Sequence, residues 1–240
     1  EKISKEKAGI IKKNTPVYTF EQNENIVEII KKRSAKNSAP LTIIKSDDID
    51  LSTVHNLGSI FKYKSYNINL PLVGGHQVKN CVLAIDIAEF ILKRINEKIL
   101  NRAISKLSWP GRMEKLSRKN IYYDVAHNYD GIRMLIKTII KIHPKKNITG
   151  LLCIKADKKI ETICGLLKKH FAKIIICQDE KKYLTSVRSL SKVLKNKKIN
   201  FSKAESVKDG IKKLKNTKIR DNVKLIFGSH YIANEVYSEF

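Results

Sequence analysis

Acidic residues are scarce in this 240-residue chain: 23 Asp and Glu stand against 48 Lys and Arg, for a formal net charge of +25. Such a shortfall raises the question of a polyanionic partner, because dense positive charge displaces counterions from phosphate backbones. The distribution argues against a nucleic-acid binder. The lysines are scattered among isoleucines and asparagines and are not gathered on one stripe with arginines and aromatics, which is the pattern of a solvated surface. What remains is a general attraction for anionic small molecules such as nucleotides and polycarboxylates. Cysteine is limited to Cys81, Cys153, Cys164 and Cys177, with no C-x-x-C pair, and the last three lie in or beside apolar stretches. They read as buried free thiols in a reducing compartment. No apolar run approaches the roughly 20 residues that span a bilayer, and nothing resembles a signal peptide, so a soluble, cytoplasmic protein without a membrane partner is expected. Also missing are a G-x-x-x-x-G-K-[ST] loop and any other glycine-rich loop with a lysine ahead of a helix. The chain opens at Glu1-Lys2-Ile3 and not at a methionine. The expectation is a fragment of something longer.

A chain of this length with 42% hydrophobic residues has material for one large domain or two modest ones. Up to about Leu107 the pattern is irregular, with short strands at Pro16–Phe20 and Leu41–Ile44 around a polar helix near Ile26–Lys32. From Val78 to Ile99 the apolar residues Val82, Ile85, Ala88, Ile91 and Ile95 recur at helical spacing and predict one amphipathic helix with a buried stripe. Ser108-Trp109-Pro110-Gly111 breaks it with a turn. The domain boundary is placed there, giving domains over 1–110 and 111–240. Beyond it, strands are expected at Ile121–Asp124, Thr149–Ile154, Ala172–Cys177 and Val223–Phe227. Helices are expected around Gly131–Ile142, Lys158–Phe171, Leu184–Leu194 and Val207–Leu214. The alternation implies a Rossmann-like α/β domain with a mainly parallel, doubly wound sheet. Ligands of such sheets collect at the carboxyl ends of the strands.

Four segments carry candidate chemistry. Asp124-Val125-Ala126-His127-Asn128 puts a carboxylate, an imidazole and an amide at a strand's carboxyl end, suited either to a ribose or phosphate or to capping the next helix. Trp109-Pro110-Gly111-Arg112 places a guanidinium at the domain boundary, where it can grip phosphate oxygens bidentately. Gly75-His76-Gln77-Val78-Lys79-Asn80 leads into the long helix, so Asn80 either reads a base edge or caps that helix. Glu6-Lys7-Ala8-Gly9-Ile10 offers a lysine in a compact segment.

Taken in this order, the four segments resemble the folylpolyglutamate synthase and dihydrofolate synthase family, a branch of the Mur ligase superfamily. Glu6–Ile10, the His-Gln-x-x-Asn of His76–Asn80 and the Pro-Gly-Arg of Pro110–Arg112 are intact, and Val125 stands in the glycine position of Asp-Gly-Ala-His-Asn. Gly228-Ser229-His230-Tyr231 is similar to the family's closing Gly-Ser-Leu-Tyr, and Asp157-Lys158 resembles its Asp-Lys pair. The resemblance implies the C-terminal part of a P-loop-type ATP-binding domain over 1–110, followed by the glutamate ligase domain over 111–240. It implies ATP and Mg2+ as cofactors, with folate or dihydropteroate and L-glutamate as substrates, in a monomer without specific nucleic acid. ATP would phosphorylate the folate carboxylate, and the glutamate amine would displace the phosphate. By position, Lys7 matches a catalytic lysine that carbon dioxide carbamylates into a magnesium ligand, a reaction of the neutral amine that cations such as Lys5 or Lys12 favour. Asn80 matches the reader of adenine, Arg112 and Asp124 match nucleotide contacts, and His127 shares their loop. Lys158 is the candidate partner for a carboxylate of the incoming glutamate, and Ser108–Gly111 is the expected hinge. In the family the phosphate loop lies upstream of Glu6–Ile10, so the isolated chain is expected to be inactive. Two other readings are another Mur-type amino-acid ligase and a non-catalytic nucleotide- or nucleic-acid-binding fragment.

Overall fold

A computed structural model describes residues 2–158, 160–179 and 183–240. Glu1, at the start of the first expected domain, and Lys159, inside the helix expected from Lys158, lie outside the described residues. The chain divides into two compact units. The first runs to Val54 and takes in Gly58–Pro71 and Gly75–Leu107; the second comprises His55–Leu57, Leu72–Gly74 and Ser108–Phe240.

In the first unit α1 (Lys2–Ala8) precedes β1 (Val17–Phe20), α2 (Glu24–Lys36) and β2 (Leu41–Ile44). β1 and β2 pair in parallel, with α2 as their crossover and Asn23 as its N-cap, accepting from Asn25 N at 3.0 Å. Ala8, Ile11 and Ala39 are buried against Val17, Ile29 and Ile30. β3 (Ile49–His55), β4 (Gly58–Tyr63) and β5 (Tyr66–Leu70) form a three-stranded sheet that the sequence reading missed. Its signal is the alternation of buried and exposed residues along β4 and β5, joined by a tight turn at Lys64-Ser65, where Lys64 takes φ 52°.

The single helix expected over Val78–Ile99 is two: α3 (Gly75–Leu92) and α4 (Glu97–Ile104). Lys93 turns left-handed at φ 64°, and Asn96 caps α4 by accepting from Lys98 N and Ile99 N. Val82 and Ile85 are buried as expected, whereas Ile91 is exposed and Ile95 lies in the break. The α3 face is fixed to the hairpin by polar groups. Tyr63 Oη and Lys64 Nζ both donate to Asp86 Oδ1, at 2.9 and 2.6 Å, and Tyr66 Oη donates to Glu89 Oε1 at 2.7 Å.

The second unit is a mixed α/β domain. Its elements are β6 (Glu114–Ser117), β7 (Ile121–Asp124), α5 (Tyr129–Ile142), β8 (Asn147–Leu152), α6 (Ile160–His170) and β9 (Lys173–Cys177). They continue with α7 (Val187–Asn196), β10 (Phe201–Ala204), α8 (Val207–Lys215), β11 (Asn222–Phe227) and α9 (Ala233–Tyr237). The sheet order is β10-β9-β8-β11-β7-β6, parallel except for β6, which runs antiparallel to β7. The central strands are apolar runs because both their faces are covered. From β7 through β8 and β9 to β10 the chain moves one way across the sheet, and right-handed crossovers then place α5, α6 and α7 on one face. The return from β10 to β11 puts α8 on the other, where it packs on α9. On that side Leu151, Cys153, Ile175, Cys177 and Ile226 meet Val207, Ile211 and Leu214 of α8. Gly150 faces the opposite way, and its missing side chain lets Phe171 and Phe227 stack with centroids 5.3 Å apart. Among the described residues, no helix is long and apolar enough to cross a membrane.

Candidate functional site

The carboxyl ends of β7 and β11 are neighbours in the sheet, yet the chain leaves β7 for α5 on one face and leaves β11 for α9 on the other. This divergence is a topological switch point, where the loops part and leave a crevice. The segments of Arg112, Asp124 and Ser229 lie at these two strand ends.

Asp124 ends β7 and is buried. Its Oδ1 accepts from Ala126 N at 2.7 Å and its Oδ2 from Met113 N at 2.9 Å. Burial pushes its carboxyl above the usual carboxylate range, against the pull of those two N–H groups and of the Arg112 charge. On the other side of Arg112, Gly111 O accepts from Val125 N at 2.9 Å and Gly111 N donates to Glu114 Oε2 at 2.8 Å. Arg112 is thus held between two backbone clasps on the Asp124 loop, with its own side chain exposed. Gly111 takes φ +68°, and an added Cβ would lie 2.7 Å from Val125 Cγ1. Only glycine fits that crossing.

His127 is exposed. Its Nδ1–H donates to Val125 O at 3.0 Å, which assigns the neutral ring's lone pair to Nε2. Asn128 caps α5 by accepting from Gly131 N at 2.8 Å, so the motif supplies a helix cap as well as candidate contacts. Lys158, half-buried after β8, donates to Asp157 Oδ2 at 3.0 Å.

Two predicted residues belong to the first unit. Lys7 is exposed on the last turn of α1 and lines a cavity of about 660 Å3 together with Tyr18, Thr19 and Gln22. Its neighbours in the motif have packing roles: Ala8 is buried, and a Cβ at Gly9 would lie 2.8 Å from Glu6 O. Asn80 is exposed on α3 and does not cap it; its Nδ2 donates to Gln77 Oε1 at 3.2 Å.

At the carboxyl ends of β8, β9 and β11 the Gly228–Tyr231 segment, named in the sequence, meets Lys155 and Tyr183, which sequence reasoning missed. After β8, Lys155 Nζ lies 5.0 Å over the ring of Tyr231, which follows β11. Tyr183, in the segment after β9, meets the same ring with centroids 4.9 Å apart, and His230 meets it at 4.2 Å. Backbone bonds fix the surrounding loops. Asp179 accepts from Tyr183 N and Leu184 N at 2.7 and 2.9 Å, Thr185 N donates to Ile154 O at 2.7 Å, and Tyr123 Oη donates to Ser229 O at 2.9 Å. The rule that chemistry follows each strand points to these positions, but Lys155 does not stand out in so lysine-rich a chain.

A family model described as "Mur ligase, glutamate ligase domain" matches residues 111–230. The dihydrofolate synthase/folylpolyglutamate synthase of Bacillus subtilis is 27% identical, over 98% of this chain and 57% of its own length. The folylpolyglutamate synthase of Lacticaseibacillus casei is 29% identical, over 72% of this chain and 43% of its own. The chain therefore spans about half the length of these relatives. In structure it is similar to the Mycobacterium tuberculosis folylpolyglutamate synthase complexed with ADP, with a TM-score of 0.88 at 20% identity, over 99% of this chain and 58% of that one.

Proposed function

The chain belongs to the Mur ligase family, whose glutamate ligase domain it carries at residues 111–230, and from that premise we propose that it is part of an ATP-dependent amide ligase joining L-glutamate to a folate, to dihydropteroate, or to both. The observation that carries this reading is the clasp of Gly111 and Met113 around the Asp124 loop, which presents Arg112 at a switch point. It is supported by relatives named for both activities along nearly the whole chain.

A carboxylate is a poor electrophile. In the proposed reaction the γ-phosphoryl of ATP passes to a folate carboxylate oxygen and ADP leaves. The glutamate amine then attacks the acyl carbon, phosphate departs with the C–O electron pair, and the amine's proton is lost as the amide forms. Arg112 is assigned to the nucleotide phosphates, with Asp124 holding its loop and His127 beside it. Asn80 is assigned to the adenine edge and Lys158 to a carboxylate of glutamate. Lys7, exposed beside a cavity, is assigned to carbamylation. Magnesium would spread the charge on the moving phosphoryl group. Among the described residues, no group of three or more His, Cys, Asp or Glu is placed to hold a metal, so these residues alone do not form that site. A carbamate on Lys7 would add one hard oxygen ligand to it.

Glutamate-dependent ADP formation with a folate acceptor tests the reading, in protein that also supplies the part of the relatives' length outside this chain. Arg112→Ala is expected to lower kcat/KM for ATP roughly ten- to hundredfold, the loss of a charge-assisted hydrogen bond of about 1.5–3 kcal/mol, at an unchanged thermal midpoint. Unchanged kinetics at limiting ATP would remove Arg112 from the site. Turnover with a cell-wall peptide precursor and none with folate would move the assignment to another Mur-type ligase. Salt-sensitive DNA binding without any ATP effect would move it to a non-catalytic fragment.

A further inference from the structure

We infer that Lys155, seated on the face of Tyr231, is a specificity-determining residue that reads the side-chain carboxylate of the incoming amino acid, and that the second unit thereby selects a dicarboxylic amino acid over its amide. The inference rests on the ligase reading given above and deepens it.

Both cations after β8 act by charge on Asp157, but it is Lys158 that is hydrogen-bonded to it. Lys158 donates to Asp157 at 3.0 Å, so a ligand carboxylate approaching Lys158 must share it with a resident anion. The charge of Lys155 is set over an aromatic ring, 5.0 Å from the Tyr231 centroid. A ring face attracts an ammonium group but accepts none of its three N–H donors in the way a carboxylate oxygen does. Such a lysine is held in position while its hydrogen-bonding capacity stays available for a ligand anion.

The seat itself is fixed. Tyr231 is flanked by Tyr183 and His230, its own N–H donates to Ser229 Oγ at 3.0 Å, and buried Ser229 is tied through its carbonyl to Tyr123 Oη. Lys155 is half-buried, which strengthens a charge-assisted hydrogen bond relative to one in open water. A second observation points to a polar ligand at these loops. Thr185, whose N–H is bonded to Ile154 O just before Lys155, is 5% exposed, and its Oγ1 has no hydrogen-bond partner. A buried hydroxyl without a partner is costly unless a water or ligand satisfies it. Lys155 and Lys158 thus bring two cations to the carboxyl edge of the sheet, a pair that matches an amino acid with two carboxylates, with the unpartnered Thr185 hydroxyl in the loop bonded to Ile154.

The experiment is equilibrium binding of L-glutamate and of L-glutamine to the 240-residue chain, followed by NMR titration. Wild type is expected to prefer glutamate by about tenfold, the order of one charge-assisted hydrogen bond. Lys155→Met should bind glutamine as wild type does and glutamate about tenfold more weakly, abolishing the preference. Lys155→Arg keeps both charge and ring contact and should restore it. Lys158→Met should weaken both amino acids alike. Circular dichroism of each variant confirms that it is folded. A Lys155→Met protein that still prefers glutamate overturns the inference and leaves the ligase reading standing. A wild-type chain that binds neither amino acid overturns the inference, while the ligase reading is decided by glutamate-dependent ADP formation in the longer protein.

Discussion

At the residue scale, Asp124 ties together two segments of the candidate site. Its two oxygens each accept a backbone N–H, one from each of the segments that form the Arg112 turn and the His127 loop. Asparagine has one oxygen and would set its NH2 group against the remaining N–H. Asp124→Asn is therefore expected to cost about 1–3 kcal/mol, the range for leaving a buried group unsatisfied. A lower urea midpoint checks this. The pH dependence has a definite sign. Because burial raises the folded-state pKa, this carboxyl's contribution is fully present below the unfolded-state value and is lost as pH rises through the folded-state one. The variant should lack that loss. The Arg112 and Asp124 segments stood out in the sequence through their joint resemblance to family motifs, not as single residues. Tyr231 was visible only within the closing Gly228–Tyr231 segment, and Lys155 and Tyr183 not at all, since a cation over a ring arises only when the ends of three strands are brought together.

At the element scale, the strands buried on both faces could be read directly from apolar runs such as Ile174–Cys177 and Val223–Phe227. The strands that escaped are those with polar residues on one face or at an edge. β6, β10 and the β3-β4-β5 sheet carry lysine, serine or asparagine among their apolar positions, and that composition alone also suits a loop. The over-long helix has a different cause: Ile95 and Ile99 prolong the spacing past a break set by backbone geometry at Lys93 and Asn96. α5 offers a test at its C-terminus. There Tyr122 Oη lies 2.7 Å from His143 Nε2, and burial, with the charges of Lys115 and Lys146, holds the His143 imidazole below its ordinary range. With a depressed folded-state pKa, the contribution is fully present above the unfolded-state value of about 6.5 and is lost as pH falls through the folded-state one. Thermal midpoints of the chain at pH 7.5 and 5.5 should therefore differ by more in wild type than in His143→Phe. Equal differences would show that His143 titrates alike in both states.

At the scale of the whole molecule, the two units differ in how completely each encloses its own apolar residues. The second has a continuous sheet order, and a buried apolar cluster within it joins residues from β7 to α9. In the first, Ile87, Phe90, Ile91 and Leu92 are exposed near the end of α3, while Val82 and Ile85 of the predicted stripe are buried. A contiguous apolar end of this kind favours association, whereas a domain with a closed core folds by itself. A protein of residues 108–240 is accordingly expected to unfold in one cooperative transition. Its calorimetric enthalpy should be about 90 kcal/mol near 60 °C, from roughly 0.7 kcal/mol per residue. The enthalpy from the transition's width should agree with the calorimetric one, as two-state unfolding requires. The 240-residue chain should show this transition at the same temperature, together with a second, less stable one whose midpoint depends on protein concentration. Loss of cooperativity in the excised domain, or a single shared transition in the 240-residue chain, would mean that the units stabilise each other and that the core of the second is not sufficient by itself.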